Sequence, residues 1–415
     1  MTITYIVAFL STYVQVFLLL TFLSRRKEIV IRKAPITLPH YPSTSIIVPC
    51  YNEEATIERT VESLTNLNYP KDKLKIILVD DGSRDRTWEI LSKYKDNPQI
   101  EMYRKENGGK HTAMNYALTK VTTELVGGLD ADSFVHPEAL KRIVTYFNDP
   151  TAMAVSSAVT VHEPKNIIQR AQKAEYDFGV FMKKMLGMIG AIHVAPGPFS
   201  IFRKKVFDDL GPYRKAHNTE DAEIALRMQK HGYKIEHCPD AYVYTVSPNT
   251  VGKLYRQRVR WIYGFLKNAK DYRELFFNKK YGNIGFFTLP AGIISICAVI
   301  YVFLTSLYAG AVFLVEKISQ IHTFGFGSLF HLHGFDPFFV NTEAITFISI
   351  LLWGLLIASL LIGKKMVTGR ASPSMNIVYF FFLSGLLAPI WLAKAVYNAF
   401  LSKQSDWTLE RKVAN

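Results

Sequence analysis

The chain has 415 residues with 49 Lys and Arg against 35 Asp and Glu, a formal net charge of +14, and its length allows roughly two or three domains. A hydrophobic content of 49% excludes a disordered chain, and three Cys in 415 residues exclude a disulfide scaffold. The basic surplus suits anionic lipid headgroups or a phosphate-bearing substrate; without a zinc-finger, RNP-type or Arg-rich motif, nucleic acid is not expected as a partner.

The first predicted element is a membrane span. Thr4 to Leu23 are twenty consecutive uncharged residues, enough at about 1.5 Å rise per residue to cross a hydrocarbon core of about 30 Å. Basic residues follow this segment and none precede it, so the positive-inside bias places the N-terminus outside. A cleaved signal peptide is disfavoured because a basic n-region and a small-x-small cleavage site are both absent.

Strands and helices alternate after this span. A β-branched run begins at Ser45, and Asn52 is predicted to cap the next helix, with Glu53 in its first turn. Further strands are predicted over residues 75–79, 100–103 and 124–129. This alternation predicts an α/β domain with a mostly parallel sheet, in which ligands bind beyond the carboxyl ends of the strands.

Two acidic clusters fall at predicted strand ends, Asp80-Asp81 and Asp130-Ala-Asp132. Neighbouring carboxylates repel unless a cation or a sugar hydroxyl takes up their charge, and oxygen ligands favour Mg²⁺ or Mn²⁺. Either cluster alone is typical of a turn or loop, but their joint placement favours a ligand site. The Gly-rich segment 107–110 has neither Walker A nor GxGxxG spacing, so neither ATP nor a dinucleotide is indicated.

The C-terminal part of the chain contains three further uncharged segments, at residues 284–315, 344–363 and 371–393. Pro290 is predicted to separate a short interfacial piece from a span over residues 291–314. If all three segments cross, the basic tail ends outside, against the positive-inside bias; alternatively, one proline-broken segment lies at the interface. The predicted organisation is an anchor with a basic flank (1–33), a cytosolic domain (34–250), amphipathic interface helices (251–283), a transmembrane bundle (284–400) and a polar tail (401–415).

Five motifs occur in order along the chain: Val48-Pro-Cys-Tyr-Asn-Glu-Glu54, Val79-Asp-Asp-Gly-Ser83, Asp130-Ala-Asp132, Thr219-Glu-Asp221 and Gln257-Arg-Val-Arg-Trp261. Together they resemble the motifs of processive, inverting family-2 glycosyltransferases of the membrane, which include synthases of poly-N-acetylglucosamine, hyaluronan, cellulose and chitin. The resemblance implies a GT-A-like, Rossmann-like domain inserted between an N-terminal transmembrane helix and a C-terminal transmembrane bundle. It also implies a multi-pass protein of the plasma membrane with a cytoplasmic catalytic domain.

The resemblance implies a role for each matching residue. Those expected to bind the UDP-sugar donor are Tyr51, Glu53, Asp80, Asp81, Lys110 and Asp130, and Asp132 is expected to bind Mg²⁺ or Mn²⁺. Those expected at the catalytic centre are Asp221, as general base, with Gln257, Arg260 and Trp261. Those expected to bind the acceptor are Trp261, Gly197 and Glu220.

Several of these residues also have purely structural interpretations. Asn218 or Thr219 fits the cap of a helix whose first turn carries acids, which can also aim a base. Arg256, Arg258 and the residues around them fit a basic amphipathic helix on a headgroup layer. His331 and His333 are interpreted as loop residues because no third metal ligand is in view.

The expected reaction is transfer of a sugar, with N-acetylglucosamine as the first candidate, from a UDP-sugar to a growing β-linked polysaccharide, coupled to membrane translocation. An alternative is single transfer to a membrane lipid, because ceramide glucosyltransferases resemble the same layout. The expected partners are therefore the donor, a polysaccharide or glycolipid acceptor, membrane lipids and, as a further option, a small accessory membrane subunit. A transport or scaffold protein with a degenerate site is disfavoured because Asp130, Asp132, Asp221 and Arg260 are all present.

Overall fold

The computed structural model describes residues 2–32, 34–325 and 344–401. The predicted tail beyond residue 401 lies outside the described residues, as do His331 and His333. The described chain combines an α/β domain with long apolar helices near both of its ends.

One sheet of eight strands organises the α/β domain, in the order β3-β2-β1-β4-β7-β6-β8-β5. The strands are β1 (Thr44–Cys50), β2 (Leu74–Asp80), β3 (Ile100–Arg104), β4 (Leu125–Gly128), β5 (Ser133–Val135), β6 (Ala152–Val161), β7 (Ser200–Arg203) and β8 (Lys234–Thr245). Strands β3, β2, β1 and β4 pair in parallel, as do β6 and β8, whereas β7 and β5 pair antiparallel with their neighbours. The predicted α/β class with a mostly parallel sheet is therefore confirmed.

Twelve α-helices accompany the sheet in the described ranges 2–32, 34–325 and 344–401. They are α1 (Thr2–Arg25), α2 (Ile57–Thr65), α3 (Thr87–Ser92), α4 (Lys110–Leu118), α5 (Ala139–Val144), α6 (Ile167–Met188), α7 (Lys205–Leu210), α8 (Glu220–Lys230), α9 (Val251–Asp271), α10 (Leu289–Phe324), α11 (Ala344–Thr368) and α12 (Met375–Phe400). One apolar cluster joins the sheet to α2, α3 and α5, and a second joins it to α4, α6 and α8. The core strands are covered on both faces, as parallel strands require.

The prediction that Asn52 caps a helix is wrong. Helix α2 begins five residues later, at Ile57. Asn52 adopts a left-handed conformation (φ 54°), and its side-chain oxygen accepts a hydrogen bond from the backbone N–H of Arg84 at 2.9 Å. The Asn52 side chain therefore binds the loop after β2 and does not cap a helix.

Four helical segments of the described chain are long and apolar enough to cross a membrane. Helix α1 contains the predicted first span, and α11 and α12 contain or overlap the last two. Before α10, residues Ile284–Thr288 form a single π-helical turn, and Pro290 lies in the first turn of α10, where its missing N–H costs no hydrogen bond. Helix α10 then continues to Phe324, ten residues past the predicted end of that span.

The apolar helices pack directly on the α/β domain through α6. A Cβ built on Gly363 of α11 would lie 2.4 Å from the carbonyl oxygen of Asp177 in α6, so the two backbones meet at a position where only glycine fits. The segment after α1 is also fixed to the domain, because Arg32 donates to the buried Asp240 carboxylate from its backbone N–H (2.8 Å) and its guanidinium (3.3 Å). The helices and the domain are therefore joined at two separate places.

Substitution of Gly363 tests the α6–α11 contact. Gly363→Ala should lower the free energy of unfolding of the full chain in detergent by about 1–3 kcal/mol, because the new methyl group overlaps backbone atoms that cannot rotate away. Gly354→Ala in the same helix is the matched control, since its Cβ would meet no described atom within 4 Å. Equal melting temperatures for the two variants would contradict the close contact.

Candidate active site

The predicted site residues lie at the carboxyl edge of three adjacent strands. Tyr51 and Glu53 follow β1, Asp80 ends its neighbour β2, and Asp130 follows β4 on the other side of β1. The strand order therefore brings residues about 80 positions apart in sequence to one edge. This is the edge at which open α/β sheets bind ligands.

Asp80 is held inside the protein by a charged partner. Its side chain is fully buried; Oδ2 lies 3.0 Å from Nε of Arg104, and Oδ1 accepts a hydrogen bond from the backbone N–H of Ser83 at 3.1 Å. Arg104 ends β3, the strand next to β2, so this cation also lies at the carboxyl edge of the sheet. Paired in this way, Asp80 orders the turn after β2.

The Gly-rich segment binds the carboxylate of Asp81. The backbone N–H groups of Gly108 and Gly109 donate to its oxygens at 2.8–3.3 Å, and Nζ of Lys105 lies 2.6 Å away. Successive backbone N–H groups commonly bind anions in this manner. Here the anion is a side chain of the protein, which fixes the loop before α4 against the turn after β2.

The loop after β1 is fastened to the loop after β2 as well. The backbone N–H of Asn52 donates to the hydroxyl of Ser83 at 3.0 Å, and that of Glu53 donates to the hydroxyl of Thr87 at 2.8 Å. Tyr51 and Glu53 are half-buried in this network. Four of the six residues predicted to bind the donor thus belong to one rigid loop assembly.

A separate cleft collects residues from three of the predicted groups, those for the donor, the catalytic centre and the acceptor. Its lining includes Lys110, Asp130, Gly197, Glu220 and Asp221, and Tyr213 contributes to it without having been predicted. Three of these residues are acids that come from two distant parts of the sequence. The cleft is therefore the place where the described chain concentrates negative charge around a single cation from α4.

Lys110 and Asp130 form an ion pair across this cleft, with 2.6 Å between Nζ and Oδ1. A Cβ built on Gly197 would lie 2.8 Å from Nζ of Lys110 and 3.1 Å from both carboxylate oxygens of Asp130, so any side chain at position 197 would displace the ion pair. Burial works against the charge of Lys110, but the carboxylates of Asp130 and Glu220 outweigh it and raise the pKa of the ammonium. Lys110 is therefore charged throughout the physiological range.

Asp132 lies near the ion pair of Lys110 and Asp130, and its surroundings disfavour the ionised form of its carboxylate. Burial raises its pKa to about 6, and the nearby charge of Asp130 adds to this effect, while the hydroxyl of Ser133 donates to it at 3.0 Å and opposes it. An incoming cation would remove this repulsion. No group of three or more His, Cys, Asp or Glu side chains is positioned to bind a metal within the described residues, so the two carboxylates would need oxygen atoms from a ligand.

Asp221 begins helix α8 and faces the same cleft. Burial and then the charge of Glu220 raise the pKa of its carboxyl, whereas Lys110 and Arg260 act in the opposite direction. Its carbonyl accepts a hydrogen bond from the backbone N–H of Ala195 at 3.1 Å, which ties it to the segment carrying Gly197. The cap expected at the helix start does not form, because the Thr219 hydroxyl donates to the carbonyl of Ala216 instead.

Helix α9 presses on the start of α8. A Cβ on Gly264 would lie 2.2 Å from the hydroxyl oxygen of Thr219, and the Asn268 amide donates to that hydroxyl at 2.9 Å. Arg260 of α9 donates to the carbonyl of Asn218 at 3.0 Å. These three contacts fix the helix with the Gln257–Trp261 motif against the turn that presents Asp221.

The expectation that Arg258 faces a headgroup layer is wrong. Its guanidinium is buried, lies 2.6 Å from the carboxylate of Glu175 in α6, and covers the ring of Trp261 at 4.3 Å from the ring centroid. The side-chain oxygen of Gln257 accepts a hydrogen bond from Arg258 at 3.0 Å. Trp261 remains 36% exposed, so one part of its ring is supported by Arg258 and another is open to a ligand.

The structure thus brings together five predicted residues in the cleft and links Arg260 to it through the turn before α8. Tyr51, Glu53, Asp80 and Asp81 lie in the adjoining loop assembly. Gln257 and Trp261 lie on α9, outside the lining of the cleft. Sequence reasoning missed the cations Arg104 and Lys105, although both lie at the end of β3 at the same edge. The individual roles of the predicted residues stay predictions.

Comparison with known proteins agrees with the family resemblance that the sequence motifs indicate. Residues 45–211 match the model of the family Glycosyl transferase family 2. The poly-beta-1,6-N-acetyl-D-glucosamine synthase of Staphylococcus aureus (strain COL) is 31% identical over 236 residues, which cover 56% of this chain and 57% of that protein. The same-named synthase of Staphylococcus epidermidis is 31% identical over 223 residues, 53% of this chain and 54% of that protein.

Among solved structures, the mannosyltransferase PcManGT of Pyrobaculum calidifontis, in complex with GDP-Man and Mn²⁺, superposes with a TM-score of 0.62. It is 20% identical, and the match covers 96% of this chain and 99% of that chain. The fold is therefore that of the GT-A class. The chain carries a Glycosyl transferase family 2 domain, which confirms the predicted resemblance, and the aligned segment spans little more than half the length of the synthases it matches.

The contact between α9 and α8 can be tested through Gly264. Gly264→Ala should destabilise the full chain by about 1–3 kcal/mol and speed amide hydrogen exchange at residues 216–223, because the methyl group displaces Thr219. Gly252→Ala at the start of α9 is the control, since its nearest described neighbour would be 3.8 Å away. Unchanged exchange at the start of α8 would contradict the contact.

Proposed function

We propose that this protein is an inverting glycosyltransferase that transfers a sugar, with N-acetylglucosamine as the first candidate, from a UDP-sugar to a growing β-linked polysaccharide. The observation that carries the proposal is the convergence of Asp130, Lys110, Glu220 and Asp221 on one cleft. Asp130 and Lys110 lie within residues 45–211, the segment that matches Glycosyl transferase family 2, and Glu220 and Asp221 follow it. The choice of polymer and sugar rests on the synthases that are 31% identical.

The charges around the cleft suit the two halves of such a reaction. Breaking the bond between sugar and diphosphate leaves negative charge on the departing oxygen, and Lys110 and Arg260 are the cations acting on Asp221 that can stabilise it. The acceptor hydroxyl must lose a proton as it attacks the anomeric carbon. Asp221 is the proposed base, and attack from the face opposite the diphosphate inverts the configuration.

Binding of a divalent metal fits the residues present. Asp130 and Asp132 would bind it through one or two carboxylate oxygens, and the diphosphate of the donor would supply the remaining oxygens. When bound, a divalent ion neutralises charge on the leaving diphosphate. The raised pKa of Asp132 supports this assignment, since the charges around its carboxylate favour an added cation. The solved mannosyltransferase with this fold contains Mn²⁺ and GDP-Man.

The proposed location is the plasma membrane, with the catalytic domain in the cytoplasm, where nucleotide sugars are made. Four apolar helical segments of sufficient length support a membrane protein, and the basic residues after α1 support a cytoplasmic side for the domain. Close packing of α11 against α6 joins the domain to these helices.

The direct test is nucleoside diphosphate release by the purified full chain in detergent. UDP-N-acetylglucosamine, UDP-glucose, UDP-galactose and GDP-mannose are compared with Mg²⁺, with Mn²⁺ and with EDTA, and labelled products are sized. The proposal expects UDP release from UDP-N-acetylglucosamine, loss of activity in EDTA, and a ladder of chains. A single product that migrates with lipid would replace the polymer by a lipid acceptor, and release from GDP-mannose alone would overturn the donor.

Removal of the proposed base should separate chemistry from donor binding. Asp221→Asn should lower kcat by about 10²–10⁴-fold, because the amide cannot accept the proton, while donor affinity stays within a few-fold of wild type. Asp209→Asn is the matched control, since Asp209 lies in α7 and pairs with the exposed Lys205. Turnover by Asp221→Asn at the wild-type rate would remove this residue from the mechanism.

The pH dependence provides an independent check on Asp221. Since its pKa is raised, the carboxylate is protonated, and unable to act as a base, at a pH where an ordinary Asp is still ionised. The acid limb of kcat/KM should therefore lie above the usual Asp range of about 4. Glu220→Gln removes a neighbouring negative charge and should move this limb to lower pH; an unmoved or raised limb would contradict the assignment.

A further inference from the structure

Two polar groups outside the lining of the cleft, Lys183 and His193, have no role in the reaction described so far. His193 lies two residues before Ala195, whose backbone N–H donates to the carbonyl of Asp221 at 3.1 Å. Lys183 is half-buried on α6, and His193 lies in the segment between α6 and β7. Nδ1 of His193 is buried and has no hydrogen-bond partner among the described residues. Lys183 likewise has no hydrogen bond or ion pair within the described part of the chain, and Asp221 is the carboxylate whose charge acts on it.

The residues before His193 are fixed by hydrogen bonds, although its Nδ1 has no partner among the described residues. The carbonyl of Ala191 accepts a hydrogen bond from the Thr288 hydroxyl at 3.0 Å, and the carbonyl of Ile192 accepts one from the Gln229 amide at 2.9 Å. The imidazole packs edge-to-face on Phe265 of α9, with 5.8 Å between centroids. Its position is therefore set by the protein and is independent of any ligand.

Open space lies next to Lys183 on the same face of α6. Tyr176, Gly179 and Lys183 are spaced i, i+3, i+7 and share one helix face. A Cβ built on Gly179 would meet no described atom within 4 Å. The adjacent Glu175 reaches across to Arg258 of α9 at 2.6 Å, so this side of α6 looks toward the helix that carries Trp261.

The two groups have complementary hydrogen-bonding capacity. An ammonium group only donates, whereas a neutral imidazole with its proton on Nε2 accepts at Nδ1. Burial lowers the pKa of His193 to about 4, with a further contribution from the charge of Lys183, so the ring is neutral at physiological pH. A hydroxyl can accept from one partner and donate to the other, but a fully ionised phosphate group can only accept.

We propose that Lys183 and His193 together bind one hydroxyl of the acceptor saccharide and hold the acceptor beside Asp221. This inference rests on the proposed glycosyl transfer and adds to it two positioning residues that select a hydroxylated acceptor. Lys183 donates to the oxygen of that hydroxyl, and the hydroxyl donates to Nδ1 of His193. The acceptor hydroxyl that attacks the donor is a different one, directed at Asp221.

The test uses the full chain in detergent with UDP-N-acetylglucosamine and a β-linked N-acetylglucosamine trisaccharide as acceptor. Lys183→Met keeps the length of the side chain and removes its charge. It should raise the KM for the trisaccharide by about ten- to a hundredfold, the loss expected for a charged hydrogen bond, and leave the KM for the donor unchanged. Lys183→Arg should restore most of the acceptor affinity, and His193→Ala should reproduce the defect.

Lys173→Met is the matched control on the same helix, because Lys173 already pairs with Asp177 and donates to the hydroxyl of Thr160. A panel of monodeoxy trisaccharides identifies the hydroxyl: wild type should discriminate against one of them, and Lys183→Met should lose that discrimination. Unchanged acceptor KM in Lys183→Met and His193→Ala overturns the inference. So does a parallel fall in kcat, donor affinity and melting temperature without rescue by arginine, since that pattern indicates a structural role.

Two further outcomes distinguish a failure of this inference from a failure of the proposed function. If inorganic phosphate inhibits wild type but not Lys183→Met while the acceptor KM is unchanged, the group bound is an anion and the hydroxyl assignment is overturned. If wild type releases UDP but transfers nothing to any saccharide, the polysaccharide acceptor itself fails, whatever the variants do.

Discussion

Mutual repulsion among carboxylates is the constraint on which the candidate active site depends. Asp130, Asp132, Glu220 and Asp221 approach one another because the sheet and the start of α8 bring distant segments together, and Lys110 pairs with Asp130. Burial raises the pKa values of Asp132 and Asp221, and repulsion from the neighbouring carboxylates, Asp130 and Glu220 respectively, raises them further. Folding therefore maintains a site that is short of positive charge, and a substrate that arrives with a cation relieves it.

Helix α9 links this site to the apolar helices. On one side, Gly264 leaves room for the side chain of Thr219. This contact fixes the turn before Asp221. On the other side Phe265 of α9 packs against Gly292 of α10, and Leu254 joins an apolar cluster with α12. A single helix thus contacts both the turn that carries the proposed base and two of the membrane helices. The same helix carries Trp261, so the exposed aromatic surface and the base are set at a fixed spacing.

The fold class and most element positions could be predicted because they depend on local patterns. Local apolar runs identified β1 to β4, whereas β5 to β8 were not predicted. The rule that ligands bind at strand ends located Asp80 and Asp130 at the site edge. Asn52 was misassigned because its partner, the backbone of Arg84, is distant in sequence. Arg258 was misassigned for the same reason, since only the fold reveals Glu175 opposite it. Local sequence patterns do not reveal which polar groups pair when they are distant in the chain.

The bond between Arg32 and Asp240 determines where the domain could be separated from its anchor. Asp240 is completely buried, and the backbone and guanidinium of Arg32 both donate to its carboxylate. A truncated chain that starts after residue 33 would leave that carboxylate without this cation in the interior, which costs far more than an exposed ion pair contributes. A catalytic fragment should therefore retain the basic linker even when the first apolar helix is removed.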